Sequence, residues 1–179
     1  MKRFVVVLTV WAMGLVGAAT SVVLPAGSAS AGMPAAASGI MSAATISAGQ
    51  GHSCAVTTTG AVKCWGANDY GQLGNGTTTN SSVPVTVSGL ATGAVAVSAT
   101  DRPFIGGGPD TKYGQHSCAV TTTGAAKCWG ANFNGELGNG TTTDSSVPVP
   151  VTGLASGVAA VSAGGQHSCA VTTAGAAKC

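Results

Sequence analysis

The chain has 179 residues, of which only 7% are charged and 4% aromatic, while 28 are glycine. Two of the seven basic residues, Lys2 and Arg3, stand at the N-terminus, and the remaining five are balanced by five acids, so the body of the chain is neutral. The basic stripe that phosphate-backbone binding requires is missing, which argues against a nucleic-acid partner. Small residues of this kind build short strands and tight turns around a thin core.

Met1-Lys2-Arg3 begins a signal-like segment: Phe4 to Leu24 carries no charge, and Ala29-Ser30-Ala31 fits the small-x-small rule for cleavage before Gly32. Residues 1–31 therefore read as an export signal, making the product secreted or extracellular. The apolar run is also long enough to span a bilayer, so an uncleaved membrane anchor is the competing reading. Residues 32–45 are rich in Ala, Gly and Ser and read as a flexible lead-in.

The remainder repeats. His52–Ala61 recurs identically as His116–Ala125 and, with one change, as His167–Ala176. Between 52–99 and 116–163, 38 of 48 positions are identical, which makes the repeat the unit of architecture. Repeat 1 spans 46–99, repeat 2 spans 114–163, and 164–179 is a third unit stopping at Cys179. An inserted loop, 100–113, separates the first two.

Within a unit, His52–Thr58 and Ala61–Ala67 form a hairpin around Thr58-Thr59-Gly60, where Gly60 supplies positive φ. A turn-rich loop follows, Asn68 to Gly76, and then a strand at Val83–Val87. Its Pro84, like Pro148 and Pro150 in the next unit, predicts a sheet edge. Ala94–Ala99 reads as an inner strand completing the unit. Four short strands in about 50 residues, repeated, describe propeller blades. The expected fold class is all-β, with four-stranded antiparallel blades.

These motifs resemble the regulator-of-chromosome-condensation repeat family. The resemblance rests on His52-Ser53, Trp65-Gly66-Ala67-Asn68 and Tyr70-Gly71-Gln72-Leu73-Gly74, with Trp129-Gly130-Ala131-Asn132 and Asn134-Gly135-Glu136-Leu137-Gly138 in the second unit. It implies a seven-bladed propeller, of which this chain supplies about two and a half blades. The third unit stops one residue before an expected Trp. It reads as a fragment of a longer frame; closure by self-assembly through open blade edges and a damaged gene product are the other two readings.

The six cysteines fall at 54/64, 118/128 and 169/179, always ten apart. Hairpin positions summing to 118 face each other, which sets Cys54 opposite Cys64 within disulfide reach. In an exported protein the expectation is Cys54–Cys64, Cys118–Cys128 and Cys169–Cys179. A metal site from His52, Cys54 and Cys64 is the competing reading, and no cofactor is expected. Asn75, Asn80 and Asn139 begin glycosylation sequons, of which Asn75-Gly76 and Asn139-Gly140 read as turns. Trp65 and Trp129 are expected to pack between blades.

No catalytic set emerges. Acids are isolated, Gly106-Gly107-Gly108 runs into Pro109 instead of a helix, and His52 and Ser53 point to opposite strand faces. The inserted loop breaks the pattern and concentrates charge and aromatics. Arg102, Phe104, Asp110 and Tyr113 are its candidate partner-binding residues. The functional expectation is a non-enzymatic exported scaffold that binds a protein or surface polymer. The family resemblance implies guanine-nucleotide exchange or chromatin binding as an alternative, and an accessory domain of an extracellular hydrolase is another.

Overall fold

The computed structural model describes residues 41–100 and 115–179, which belong to one compact unit, Ile40–Cys179. Every element among them is a strand, and every pairing is antiparallel. The first sheet runs β1 (Ala43–Ala48), β2 (His52–Thr57), β3 (Val62–Gly66), β4 (Ser81–Thr86) in that spatial order. The second repeats it with β5 (Ala94–Ala99), β6 (His116–Thr121), β7 (Ala126–Gly130) and β8 (Ser145–Pro150). The third holds β9 (Val158–Ala163), β10 (Ser168–Thr172) and the two-residue β11 (Ala177–Lys178).

The hairpin register follows from the turn. Thr57 closes it by donating to the Ala61 carbonyl at 2.8 Å and accepting from Gly60 N–H at 2.9 Å, with Gly60 at φ 79°. This sets Val56 opposite Val62 and Cys54 opposite Cys64. Pro84 and Pro148 sit on β4 and β8, the outer strand of each sheet, where a missing N–H costs no ladder bond.

The sheets are displaced by one strand from the repeats as delimited in sequence. Ala94–Ala99 does not complete the first sheet: it pairs with β6, with Ser98 opposite Cys118, and is the inner strand of the second. Likewise Ala43–Ala48 begins inside the segment read as a flexible lead-in and pairs with β2. The reason is local. The proline-bearing β4 offers a poor outer edge, so the chain turns through Leu90 and Gly93 and crosses to start the neighbouring sheet. Being an edge strand, β5 buries its end alanines, Ala94 and Ala99, and leaves Val95 half exposed.

Inner strands of neighbouring sheets are tied together through serine side chains. Ala99 N–H donates to Ser47 Oγ and Ala163 N–H donates to Ser98 Oγ, both at 3.0 Å. The apolar core lies between sheets. One cluster joins Cys54, Cys64, Leu73 and Val87 of the first sheet to Trp129 of the second. Two smaller clusters lie between the second and third.

Candidate functional site

Each joint between sheets is a polar clasp set into this core. The histidine that starts β2 reaches the serine that follows the equivalent histidine in the next sheet. His52 Nε2 lies 2.8 Å from Ser117 Oγ, and the Ser117 hydroxyl donates to the Gln72 carbonyl at 3.1 Å. Because the hydroxyl has one proton to give, His52 must donate through Nε2–H, which assigns its neutral tautomer. The second joint repeats the relay: His116 Nε2 to Ser168 Oγ at 2.9 Å, and Ser168 to the Glu136 carbonyl at 2.8 Å. Thr100 Oγ1 holds the other ring nitrogen of His116 at 3.0 Å.

Burial decides the charge state of these rings. Desolvation lowers the pKa of both His52 and His116 to about 4; for His52 the neighbouring His116 lowers it further, and for His116 the nearby Glu136 acts in the opposite direction. Both rings are therefore neutral at pH 7. Sequence reasoning separated His52 from Ser53 on opposite strand faces, and missed that the repeat brings His52 onto Ser117 of the next sheet. The signal was the invariant His-Ser pair at one end of the hairpin. His52 and Ser117 are buried at 3% and 0% exposure, which leaves no room for a substrate beside the serine, so the pair functions as a structural clasp.

The cysteines are bonded as Cys54–Cys64, Cys118–Cys128 and Cys169–Cys179, with Cα atoms 4.0–4.1 Å apart. The alternative metal set His52, Cys54 and Cys64 is consumed by these bonds, since its sulfurs are joined to each other and its imidazole is held by Ser117.

The two tryptophans differ. Trp129 is fully buried between sheets, its indole N–H donating to the Gln72 carbonyl at 2.8 Å. Its ring leaves no space at Gly74, where an added Cβ would lie 2.7 Å from Nε1. Trp65, at the same place in the first sheet, is only half buried.

One rim of the unit gathers the variable loops. It carries the β1–β2 connection, Thr100 and Gln115 at the ends of β5 and β6, and the long loops after β3 and β7. Ala67 N–H donates to the Gly51 carbonyl and Ala131 N–H to the Gln115 carbonyl, both at 2.8 Å, which fixes those loops side by side. Each long loop is folded around a fully buried asparagine. Asn68 donates to the carbonyls of Thr77 and Thr79 and accepts from Leu73 N–H; Asn132 does the same with Thr141, Thr143 and Leu137. Asn75 and Asn139 accept bonds from Thr77 and Thr141 within these loops, consistent with a turn role. Tyr70 and Phe133 meet edge to face at 5.6 Å across the rim.

Only the flanks of the insertion, Thr100 and Gln115, are among the described residues. Arg102, Phe104, Asp110 and Tyr113 lie outside the described residues. Its flanks are described and are held: Thr100 N–H donates to the His116 carbonyl, the Thr100 carbonyl accepts from Gln50 N–H, and Gln72 Nε2 donates to Gln115 Oε1. In the first and third sheets the same connection is a short turn, closed by Gly49 N–H to the His52 carbonyl and by Gly164 N–H to that of His167. Among the described residues no cluster of His, Cys, Asp and Glu could hold a metal ion.

Repeated four-stranded antiparallel sheets, clasped edge to edge and presenting their loops on a common rim, define the chain as β-propeller blades. Models of the regulator of chromosome condensation (RCC1) repeat match residues 43–72 and 113–136, and 59–102 and 126–171. The chain belongs to the RCC1 repeat family. It is 35% identical over 129 residues, 72% of its length, to the human E3 ubiquitin-protein ligase HERC2, and 31% identical over 130 residues to the ultraviolet-B receptor UVR8 of Arabidopsis thaliana. It spans 2% of the former and 27% of the latter. Among solved structures it resembles human WBSCR16, with TM-score 0.59 and 24% identity, and Prp20p of Saccharomyces cerevisiae, with TM-score 0.58 and 22% identity. It covers 30% and 31% of those chains respectively, and 73% of its own length is matched in each.

Proposed function

We propose that the chain is a non-enzymatic, exported repeat module that binds a protein or a surface polymer through its inserted loop, residues 100–113. The observation that carries this reading is the clamping of that segment's flanks. Thr100 and Gln115 are anchored to His116, Gln50 and Gln72, so the chain is held on both sides of the insertion. The Tyr70–Phe133 pair adds an aromatic surface on the same rim, of the kind enriched at protein interfaces. The buried histidines and serines are spent on clasps, which supports a binding role over a catalytic one.

Export rests on Met1–Ala31, and N-terminal sequencing of the product should begin at Gly32. The contact residues are Arg102, Phe104, Asp110 and Tyr113. The test changes Arg102, Phe104 and Tyr113 together to Ala and measures capture of surface proteins and polysaccharides by the immobilised chain. Loss of capture with an unchanged melting temperature is expected; unchanged capture sinks the reading.

A second reading, guanine-nucleotide exchange, draws on the likeness to Prp20p, a protein described by its binding to Gsp1p and histones. An exported chain would not meet a cytosolic GTPase, so a cytoplasmic product with Met1 to Ala31 retained would favour this reading over the first.

A further inference from the structure

The tyrosines and phenylalanines of the repeats are not spent on strands. After residue 31 there are four: Tyr70 and Phe133 stand in the long rim loops, and Phe104 and Tyr113 belong by sequence to the insertion. Tyr70 and Phe133 meet across the joint between the first and second sheets, with ring planes at 84°. Phe133 keeps 38% of its surface exposed, and Tyr70 is partly exposed. That exposure belongs to the position in the repeat. The residues matching Phe133 and Tyr70 in the other unit, Asp69 and Asn134, are exposed as well.

The pair is held from below. Tyr70 N–H donates to Oε1 of the fully buried Gln72 at 3.0 Å, and Asn134 N–H, next to Phe133, donates to Oε2 of the buried Glu136 at 2.9 Å. The loop bearing Tyr70 is also docked onto the second sheet. Gly76 N–H donates to the Ser146 carbonyl at 2.9 Å, and a Cβ at Gly71 would lie 2.5 Å from Ser146 Cα. Rings fixed in this way need little further ordering when a ligand arrives.

We propose that Tyr70 and Phe133 form a stacking platform for a neutral polysaccharide; the proposal rests on the binding reading above and names its ligand. A pyranose is amphipathic, with C–H groups on its faces and hydroxyls around its edge. The rings take the C–H faces, whose partial positive charge suits the negative face of an aromatic ring. The hydroxyls meet Asp69, exposed beside Tyr70, the Tyr70 hydroxyl, and the carbonyl oxygen of exposed Asn134, whose amide nitrogen is given to Glu136 at 2.9 Å. Other ligands fit less well. The remaining exposed large hydrophobics, Ile46, Val83, Val95, Val147 and Val171, all lie in strands, so the described rim loops offer no aliphatic patch for the core of a protein interface. Those loops carry Asp69, Glu136 and Asp144 and no Lys or Arg, which disfavours an anionic polymer.

The test is affinity electrophoresis of the 179-residue chain through native gels holding a β-glucan, a cellulose ether, a mannan, glycol chitin or, as the charged control, polygalacturonate. Near-UV circular dichroism verifies the folding of each variant. At least one neutral polymer should retard the chain, and polygalacturonate should not. Tyr70→Ala and Phe133→Ala should each weaken retardation about 2- to 10-fold, whereas Phe133→Tyr, which keeps the ring, should retain it. No retardation by any neutral polymer, retardation by polygalacturonate alone, or retardation unchanged in the doubly substituted chain overturns the proposal. Capture of surface proteins without polysaccharide retardation also overturns it, while leaving the broader binding reading in place. Loss of both kinds of capture removes that reading as well.

Discussion

The first and second joints are built from nearly the same residues, yet they are closed to different degrees. In the first, Trp129, His52 and Ser117 are all buried, and one carbonyl, that of Gln72, serves the serine and the indole together. In the second the His116–Ser168–Glu136 relay forms again, and the position matching Trp129 falls after Cys179. In the first joint polar alignment and apolar filling act together, and substitution at each can be read separately.

The largest effect is expected from the ring itself. Trp129→Ala removes a fully buried side chain and should destabilise the chain by roughly 3–5 kcal/mol in urea titration. Trp65→Ala, on a half-buried residue with no sheet packed beyond it among the described residues, should cost much less. Equal losses would mean that the two faces are covered alike, and the contrast between joints would fail.

Acid tests the polar half. His52 and His116 are neutral when folded and titrate at the ordinary 6.5 when unfolded, so between pH 6.5 and about 4 the unfolded chain takes up protons that the folded chain refuses. Their stabilisation is complete above pH 6.5, declines as pH falls through that window, and is exhausted below about 4. A drop from 6.5 to about 4 corresponds to roughly 3 kcal/mol per histidine. Denaturation midpoints at pH 7.5, 5.5 and 4 should trace it. His52→Gln should flatten the curve, and an unchanged slope in that variant would place the acid sensitivity elsewhere.

Disulfides come next. Replacing Cys54 and Cys64 together by Ala opens a short ring, worth roughly 3 kcal/mol by chain entropy. The Cys169/Cys179 pair closes a ring of the same size, but Cys179 is exposed. Its removal should lose only the entropic part, with no added cost of a buried gap. The smallest contrast is Ser117→Ala against Ser53→Ala. The first strands His52 Nε2–H and should cost about 1–3 kcal/mol, whereas Ser53 makes no side-chain hydrogen bond among the described residues and should shift stability by less than about 0.5 kcal/mol.

Much of this fold was legible because repetition turns one hairpin into three observations. The turn at Thr58-Thr59-Gly60 fixes the register, and the register alone sets Cys54 opposite Cys64. Prolines marked β4 and β8 as outer strands. The membership of Ala94–Ala99 was misread because a run of Ala, Val and Ser carries no sign of which neighbour it joins; adjacency in sequence favoured the sheet before it, whereas the strand pairs with β6 of the sheet after. The His52–Ser117 clasp was hidden for a related reason. Alternation along one strand excludes contact between His52 and Ser53, and only the stacking of sheets brings one repeat's histidine to another repeat's serine. Asn68 was visible as a motif residue, but its role depends on carbonyls nine and eleven positions away, beyond the reach of local turn rules.

The one-strand displacement of sheets from repeats bears on how such a chain grows or shrinks by recombination. A cut at the sequence boundary removes the inner strand of one sheet along with the outer three of another. The inherited module and the folding module are therefore different objects. Because the 38 matching positions make each repeat's last strand interchangeable with its neighbour's, an unequal exchange hands the following sheet an inner strand that already fits it. The number of repeats can change without creating a mismatched seam.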